Sequence, residues 1–409
     1  MERKKVANNL IYLLICCLSG TVIGLIVWCF LRLMNLGVEL LWITVAEAVD
    51  FKFYPLIVCT IGGLIIGIYN KKTGVAPEEL QEVITKVRSE HFYPYDKIGF
   101  LLIAAFLPLL FGGSIGPEAG LTGVIVGLCY WARDNMKFGR QHLERLTEVV
   151  INSTFTAIFL MPLFGASALD MVDTDAEEAK WFRVVSNLIA IFSSFGVLIL
   201  MNQLFGGSAG LPKITEFNIT MTERKWGIVL ALVGVICGYI FLFFEKSCHN
   251  IFYKIRRKIG VVAPAVMCGV VLGMVGSFMP FTMFSGEESM VTLSESWSSY
   301  GAGFLIATGF VKLLMTNMCI SSGWKGGHFF PVIFCGISIG FGIGMALGLD
   351  LDFCGAVVTA GLLGTLMPKP IMVCILLVII FDLRMLFWII LAILLGSLIK
   401  HIKTKCGLK

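Results

Sequence analysis

An all-α, polytopic membrane protein is the fold class this chain predicts, on three observations. Hydrophobic residues make up 57% of its 409 residues and charged residues only 14%, for a mean hydropathy of +0.88. No soluble domain has use for that much apolar surface. The apolar residues gather into spans of unequal length, some too short to cross a bilayer. Two glycine-bracketed segments, one in each half, interrupt those spans: Gly113-Ser114-Ile115-Gly116-Pro117-Glu118-Ala119-Gly120 and Gly326-Gly327-His328-Phe329-Phe330-Pro331. A glycine break that opens a helix inside a bilayer aims backbone N–H groups at one spot, and such a spot binds anions. Once per half, the pattern predicts duplicated broken helices around an ion site near the midplane.

Taken in order, the first apolar spans cover 10–33, 54–69, 98–111, 121–131, 149–169, 181–204 and 226–244. Those that follow cover 261–279, 301–319, 329–349, 353–366 and 371–399. The first run is too long for the apolar core of a signal peptide and has no small-residue cleavage site, so it reads as a retained helix. The longest polar interludes, 71–97 and 171–180, read as loops or short surface helices. No stretch is long enough for a soluble domain, and residues 1–409 form one membrane domain. The uneven, Gly/Pro-interrupted helices suit an ion pathway better than a uniform bundle. Glycines spaced by four, Gly123 with Gly127 and Gly336 with Gly340 and Gly344, predict close helix–helix packing. The cysteines lie mostly in apolar runs and behave there as small hydrophobes.

Charge placement orients the chain. Arg3, Lys4 and Lys5 precede the first span, and Lys400, Lys403, Lys405 and Lys409 follow the last. Both clusters place the termini in the cytoplasm of a multi-pass protein of the cell membrane, against anionic headgroups of the bilayer. No basic stripe is interleaved with aromatics on a soluble face, which excludes a nucleic-acid partner. Within the spans, Glu118 heads an apolar helix and is the only acidic residue placed at membrane depth. It sits at a positive helix end, the wrong pole for a cation. Lys312 reads as a snorkelling or structurally paired lysine. Asp382 and Arg384 read as an ion-paired turn between two helices. No H-E-x-x-H occurs, and the five histidines are scattered, so neither enzyme, metal site nor cofactor is predicted.

The residues also carry a family resemblance. Gly116-Pro117-Glu118-Ala119-Gly120 resembles the G-R/K-E-G-P signature of CLC chloride channels and chloride/proton antiporters. Gly327-His328-Phe329-Phe330-Pro331 resembles that family's G-x-F-x-P signature. Met161-Pro162-Leu163-Phe164-Gly165 is similar to its N-A-P-L-A-G segment, and Ser321-Ser322-Gly323 to the start of its S-S-G-x-x-G-G segment. The resemblance covers essentially the whole chain, in the short form without C-terminal regulatory domains. It implies an inverted-repeat CLC-type fold, with repeats 1–205 and 206–409, and a homodimer whose subunits each hold a pore. The transported ion is chloride or a similar small anion. Glu118 is implied as the gate, its carboxylate occupying an anion site until protonation lets it swing away. Anion binding is implied for Gly116, Pro117, Ala119 and Gly120, for Gly327, His328, Phe329 and Phe330, and for Thr73 and Gly74. His328 reads as a packing or hydrogen-bonding side chain and not as a proton carrier.

Departures from the family pattern shape the functional expectation. The early G-S-G-I-P motif has only a partial match at Thr73-Gly74-Val75-Ala76-Pro77, with Gly74 in the serine's place. Val172 takes the place of the inward-facing glutamate that antiporters use to relay protons, between Asp170 and Asp173. No tyrosine follows Tyr300, so the inner gate of the family has no counterpart. Gly120 replaces the proline of the first signature, which is expected to loosen that helix start slightly. Together these favour passive permeation of chloride, with chloride/proton antiport as the alternative.

Overall fold

The computed structural model describes residues 2–78, 80–90, 92–135, 139–159, 162, 180–206, 213, 221–367 and 369–405. They are helical almost throughout. The elements are α1 (Glu2–Glu39), continued by a wide π turn at Leu40–Thr44, α2 (Val45–Val49), α3 (Tyr54–Thr73), α4 (Leu80–Glu90), α5 (Ile98–Leu110), α6 (Glu118–Asn135), α7 (Gly139–Phe159), α8 (Lys180–Phe205), α9 (Met221–Ile259), α10 (Val262–Gly276), α11 (Glu287–Ser296), α12 (Ala302–Ser322), α13 (Phe329–Leu347), α14 (Leu351–Leu366), α15 (Pro370–Ile380) and α16 (Leu386–Lys405). The unequal lengths expected from the apolar pattern are present. Among the described residues six helices are long and apolar enough to cross a membrane, and seven more are apolar but shorter.

Packing divides the chain into two compact units that do not follow its halves. One comprises Met1–Thr44, Val75–Phe106 and Pro117–Leu211; the other comprises Val45–Gly74, Leu107–Gly116 and Pro212–Lys409.

In the first unit α1, α7 and α8 pack on one another, and α6 packs on α7 and α4. Tyr12, Cys16, Val149, Phe182 and Ala190 form the apolar centre of the three-helix group. Gly20 and Gly24 let α1 press directly on the backbone of α8 at Ala190 and Ser194. The opposite face of α1 repeats every four residues, Leu10, Leu14, Leu18 and Val22, each about half exposed. An apolar stripe with no protein partner on such a helix faces lipid.

In the second unit α3 and α10 cross along a reciprocal glycine seam. Gly63 and Gly67 of α3 lie on Ala265 and Val262, while Gly269 and Gly273 of α10 lie on Cys59 and Leu56. Two four-residue glycine steps thus bring the backbones together with no side chain between them. The predicted Gly336, Gly340 and Gly344 series does the same in the hairpin of α13 and α14, against Thr359, Gly355 and Leu351 in turn. Gly123 and Gly127, in the first unit, instead receive Tyr93 and Ile98 from the α4–α5 segment. Asp382 and Arg384 form the expected paired turn, at 3.1 Å, between α15 and α16.

Candidate functional site

The two glycine breaks meet, backbone to backbone, inside the second unit. After α5 ends, Gly112 takes a φ of +81°, open to glycine and strained for most other residues. The Gly113 N–H then donates to the Pro108 carbonyl at 2.8 Å. Ser114 is fully buried, its hydroxyl 3.1 Å from that of Thr316 on α12. The second break is built in the same way. Gly323, with a φ of +109°, closes α12 by donating to the Cys319 carbonyl, and the buried indole of Trp324 donates to the Ala265 carbonyl at 2.9 Å. Gly116 and Gly327 then exchange two hydrogen bonds, N–H to carbonyl in both directions, each 2.8 Å. Gly326 lies so close to Ile115 that a Cβ there would overlap its side chain.

This bridge fixes where α13 begins. Its first internal bond runs from the Val332 N–H to the His328 carbonyl, at 3.1 Å. Helix geometry therefore leaves the N–H groups of His328, Phe329 and Phe330 without an acceptor in their own helix, and Pro331 has none to offer. Phe329 and Phe330 are buried. The His328 ring stacks between Phe329 and Phe241, with centroids 5.7 and 5.6 Å away. Ring packing is one of the two roles, packing or hydrogen bonding, expected of it.

The first unit takes over at Pro117, where α6 opens. The Leu121 N–H bonds the Pro117 carbonyl at 3.1 Å, so the amides of Glu118, Ala119 and Gly120 have no acceptor within α6. Glu118 is 1% exposed, and its carbonyl accepts the Thr122 hydroxyl at 2.7 Å. A carboxylate in a first turn is favoured by the helix dipole. Gly120 does not loosen this start. A Cβ there would overlap that of Ala105 on α5, so the glycine is what lets α5 and α6 close on each other.

Several predicted donors are corrected. Thr73 and Gly74 lie at the C-terminus of α3, the negative pole. Thr73 gives its hydroxyl to the Tyr69 carbonyl at 2.9 Å, and Gly74, left-handed at φ +64°, gives its N–H to Asn70. Neither is placed to hold an anion. Gly116 and Gly327 use their N–H groups on each other, and Pro117 has none. These three shape the site without donating to it. Met161, Leu163–Gly165, the Asp170–Val172–Asp173 region and Gly207 lie outside the described residues.

Glu118 is not the only buried acid. Glu148 on α7 is 1% exposed and accepts from Arg183 of α8 at 2.8 Å. One turn on, Asn152 donates to Asn187 at 2.8 Å. In sequence Glu148 sits in the polar run His142-Leu143-Glu144-Arg145-Leu146-Thr147-Glu148 and reads as surface. Its partner is 35 residues away, and no local pattern reveals it.

Comparisons with known proteins agree with this geometry. A model of the voltage gated chloride channel family matches residues 58–401. Among curated proteins, the "Putative ion-transport protein YfeO" of Salmonella paratyphi A is 21% identical over 334 residues, covering 78% of this chain and 77% of its own. Among solved structures, a slow cyanobacterial Cl−/H+ antiporter superposes with a TM-score of 0.78 at 14% identity, covering 96% of this chain and 93% of its own. A CLC-type fluoride/proton antiporter superposes at 0.73 with 16% identity, covering 95% of each chain. At such identities the likeness is one of fold.

Proposed function

Because the chain belongs to the voltage gated chloride channel family and shares its transport of anions across a membrane, we propose that it conducts chloride passively under the control of Glu118. The observation that carries this reading is the reciprocal Gly116–Gly327 bridge. It joins the two glycine breaks within the second unit, and each break is followed in the chain by a helix whose first amides have no acceptor within that helix. Amide dipoles bind a dehydrated anion weakly enough to release it, as conduction requires. Full cations in contact would hold it.

In this proposal backbone amides do the donating: those of Ala119 and Gly120 at the start of α6, and, separately, those at the start of α13. The Glu118 carboxylate is the movable anion. While ionised it competes for the positive end of α6; once protonated it loses that attraction and leaves. Flux then rises as pH falls or as external chloride rises. The protein acts in the cell membrane as a homodimer, with both termini in the cytoplasm and with no cofactor or enzymatic step.

The test is proteoliposomes holding a chloride gradient, read with a chloride electrode and an internal pH dye. Chloride efflux without proton uptake is expected. Uphill proton movement abolished in Glu118→Gln would establish the antiporter instead. Sodium-22 should not enter under either outcome.

A further inference from the structure

Lys312 lies midway along α12 and is fully buried. It does not snorkel. Its ammonium donates to three backbone carbonyls, Phe281 at 2.9 Å, Met283 at 2.8 Å and Phe284 at 3.0 Å. Below it the Phe334 ring of α13 presents its face, with the centroid 5.1 Å from Nζ. All three N–H donors are thereby used, and among the described residues no carboxylate is within ion-pair distance of the lysine. The groups around it contribute dipoles and a ring quadrupole.

The cage is tied to the loop of the first glycine motif and to the helix opened by the second. Its last carbonyl belongs to Phe284, a non-glycine residue held at φ +57°, whose own N–H donates to the Gly112 carbonyl at 3.2 Å. One turn along α12 from Lys312, Thr316 meets Ser114 of the same loop. Phe334 is on the helix that the second motif opens. Gly286, at φ +96°, leaves the room; a Cβ there would come 2.9 Å from Cβ of Phe334 and 3.3 Å from Cε of Lys312. A lysine saturated with carbonyls cannot donate to a passing anion. It can act on one only through its field and through the loop it holds.

We infer that Lys312 sets anion affinity: a tethered ammonium in a carbonyl cage whose charge raises anion occupancy at the start of α13 without contacting the anion. This rests on the proposed anion conduction. A unit charge in a medium of low dielectric acts well beyond contact distance. That separates its role from the amides, which act only where they touch.

The test compares Lys312→Met, which removes the charge and keeps the length, with Gly286→Ala, which crowds the same cage and keeps the charge. Both are purified, checked for folding by size exclusion and melting temperature, and reconstituted. Flux is then measured across chloride concentrations. Lys312→Met should raise the half-saturating chloride concentration roughly tenfold. Gly286→Ala should lower the melting temperature and leave half-saturation within about twofold. Equal half-saturation shifts in the two variants, or none in Lys312→Met, would overturn the charge role. So would failure of both Lys312→Met and Lys312→Gln to fold, which would make the lysine a packing requirement. Absence of chloride flux in the wild type would instead overturn the proposed function.

Discussion

The starts of α6 and α13 are the same device built with different side chains. Each follows a glycine break, and each has lost one of the four amides a helix leaves open to a proline: Pro117 before α6, Pro331 within α13. Three amides remain unused by the helix in each case. The difference lies in what accompanies them. At α6 the first residue is Glu118, a buried acid whose charge can be switched. At α13 the neighbours are His328 and Phe329, whose rings stack, and the buried Phe330. On the proposed reading one helix start carries its own competitor and the other does not, so only the first gates.

Variants that erase this difference should act most strongly. Glu118→Ala makes the two starts alike, and chloride flux through proteoliposomes is expected to rise about tenfold, the effect of removing a competitor worth roughly 1.4 kcal/mol. Unchanged flux would leave Glu118 as helix decoration. Gly120→Pro restores the family's residue at the α6 start and should damage it, because any Cβ there overlaps Ala105. Overpacking of this kind costs about 1–3 kcal/mol; a lower melting temperature in detergent is expected, and a rise would refute the packing account. His328→Ala tests the other side of the comparison. It removes a stacked ring worth roughly 0.5–1.5 kcal/mol but no titratable gate, so pH dependence of flux should be unaltered while stability falls slightly.

The smallest effect belongs to the exposed turn between α15 and α16. Hydrogen bonds from the Arg384 side chain and backbone hold the Asp382 carboxyl below the usual aspartate range. A depressed acid stabilises the fold above its unfolded pKa and loses that contribution as pH falls through its folded value. Asp382→Asn should therefore lower the melting temperature only marginally at neutral pH, and the gap to wild type should close in acid. A gap that widens in acid would contradict the sign.

Much of the fold is legible in the residue pattern because hydrophobic spans and glycine spacing are local signals. The Gly336, Gly340 and Gly344 series announced a close helix contact, and α13 makes it with α14. The Asp382–Arg384 turn was readable for the same reason. Thr73 and Gly74 were misread although a local signal was present: Lys71 and Lys72 followed by a glycine mark a helix C-terminus. The motif alignment outweighed it. Partners distant in sequence were not readable at all. The carbonyls around Lys312 come from 28 to 31 residues earlier, and the bridge of Gly116 to Gly327 joins two motifs more than two hundred residues apart. That the bridge takes up the N–H groups of Gly116 and Gly327 could be read only from the structure.

The most direct test of the difference between the two starts is the pH dependence of tracer chloride uptake into proteoliposomes, measured for wild type and Glu118→Gln side by side. Wild-type uptake is expected to climb as pH falls toward the low flank and to converge on that of the variant, which stays fast and flat throughout. Parallel curves for the two proteins, at every pH, would contradict the gate.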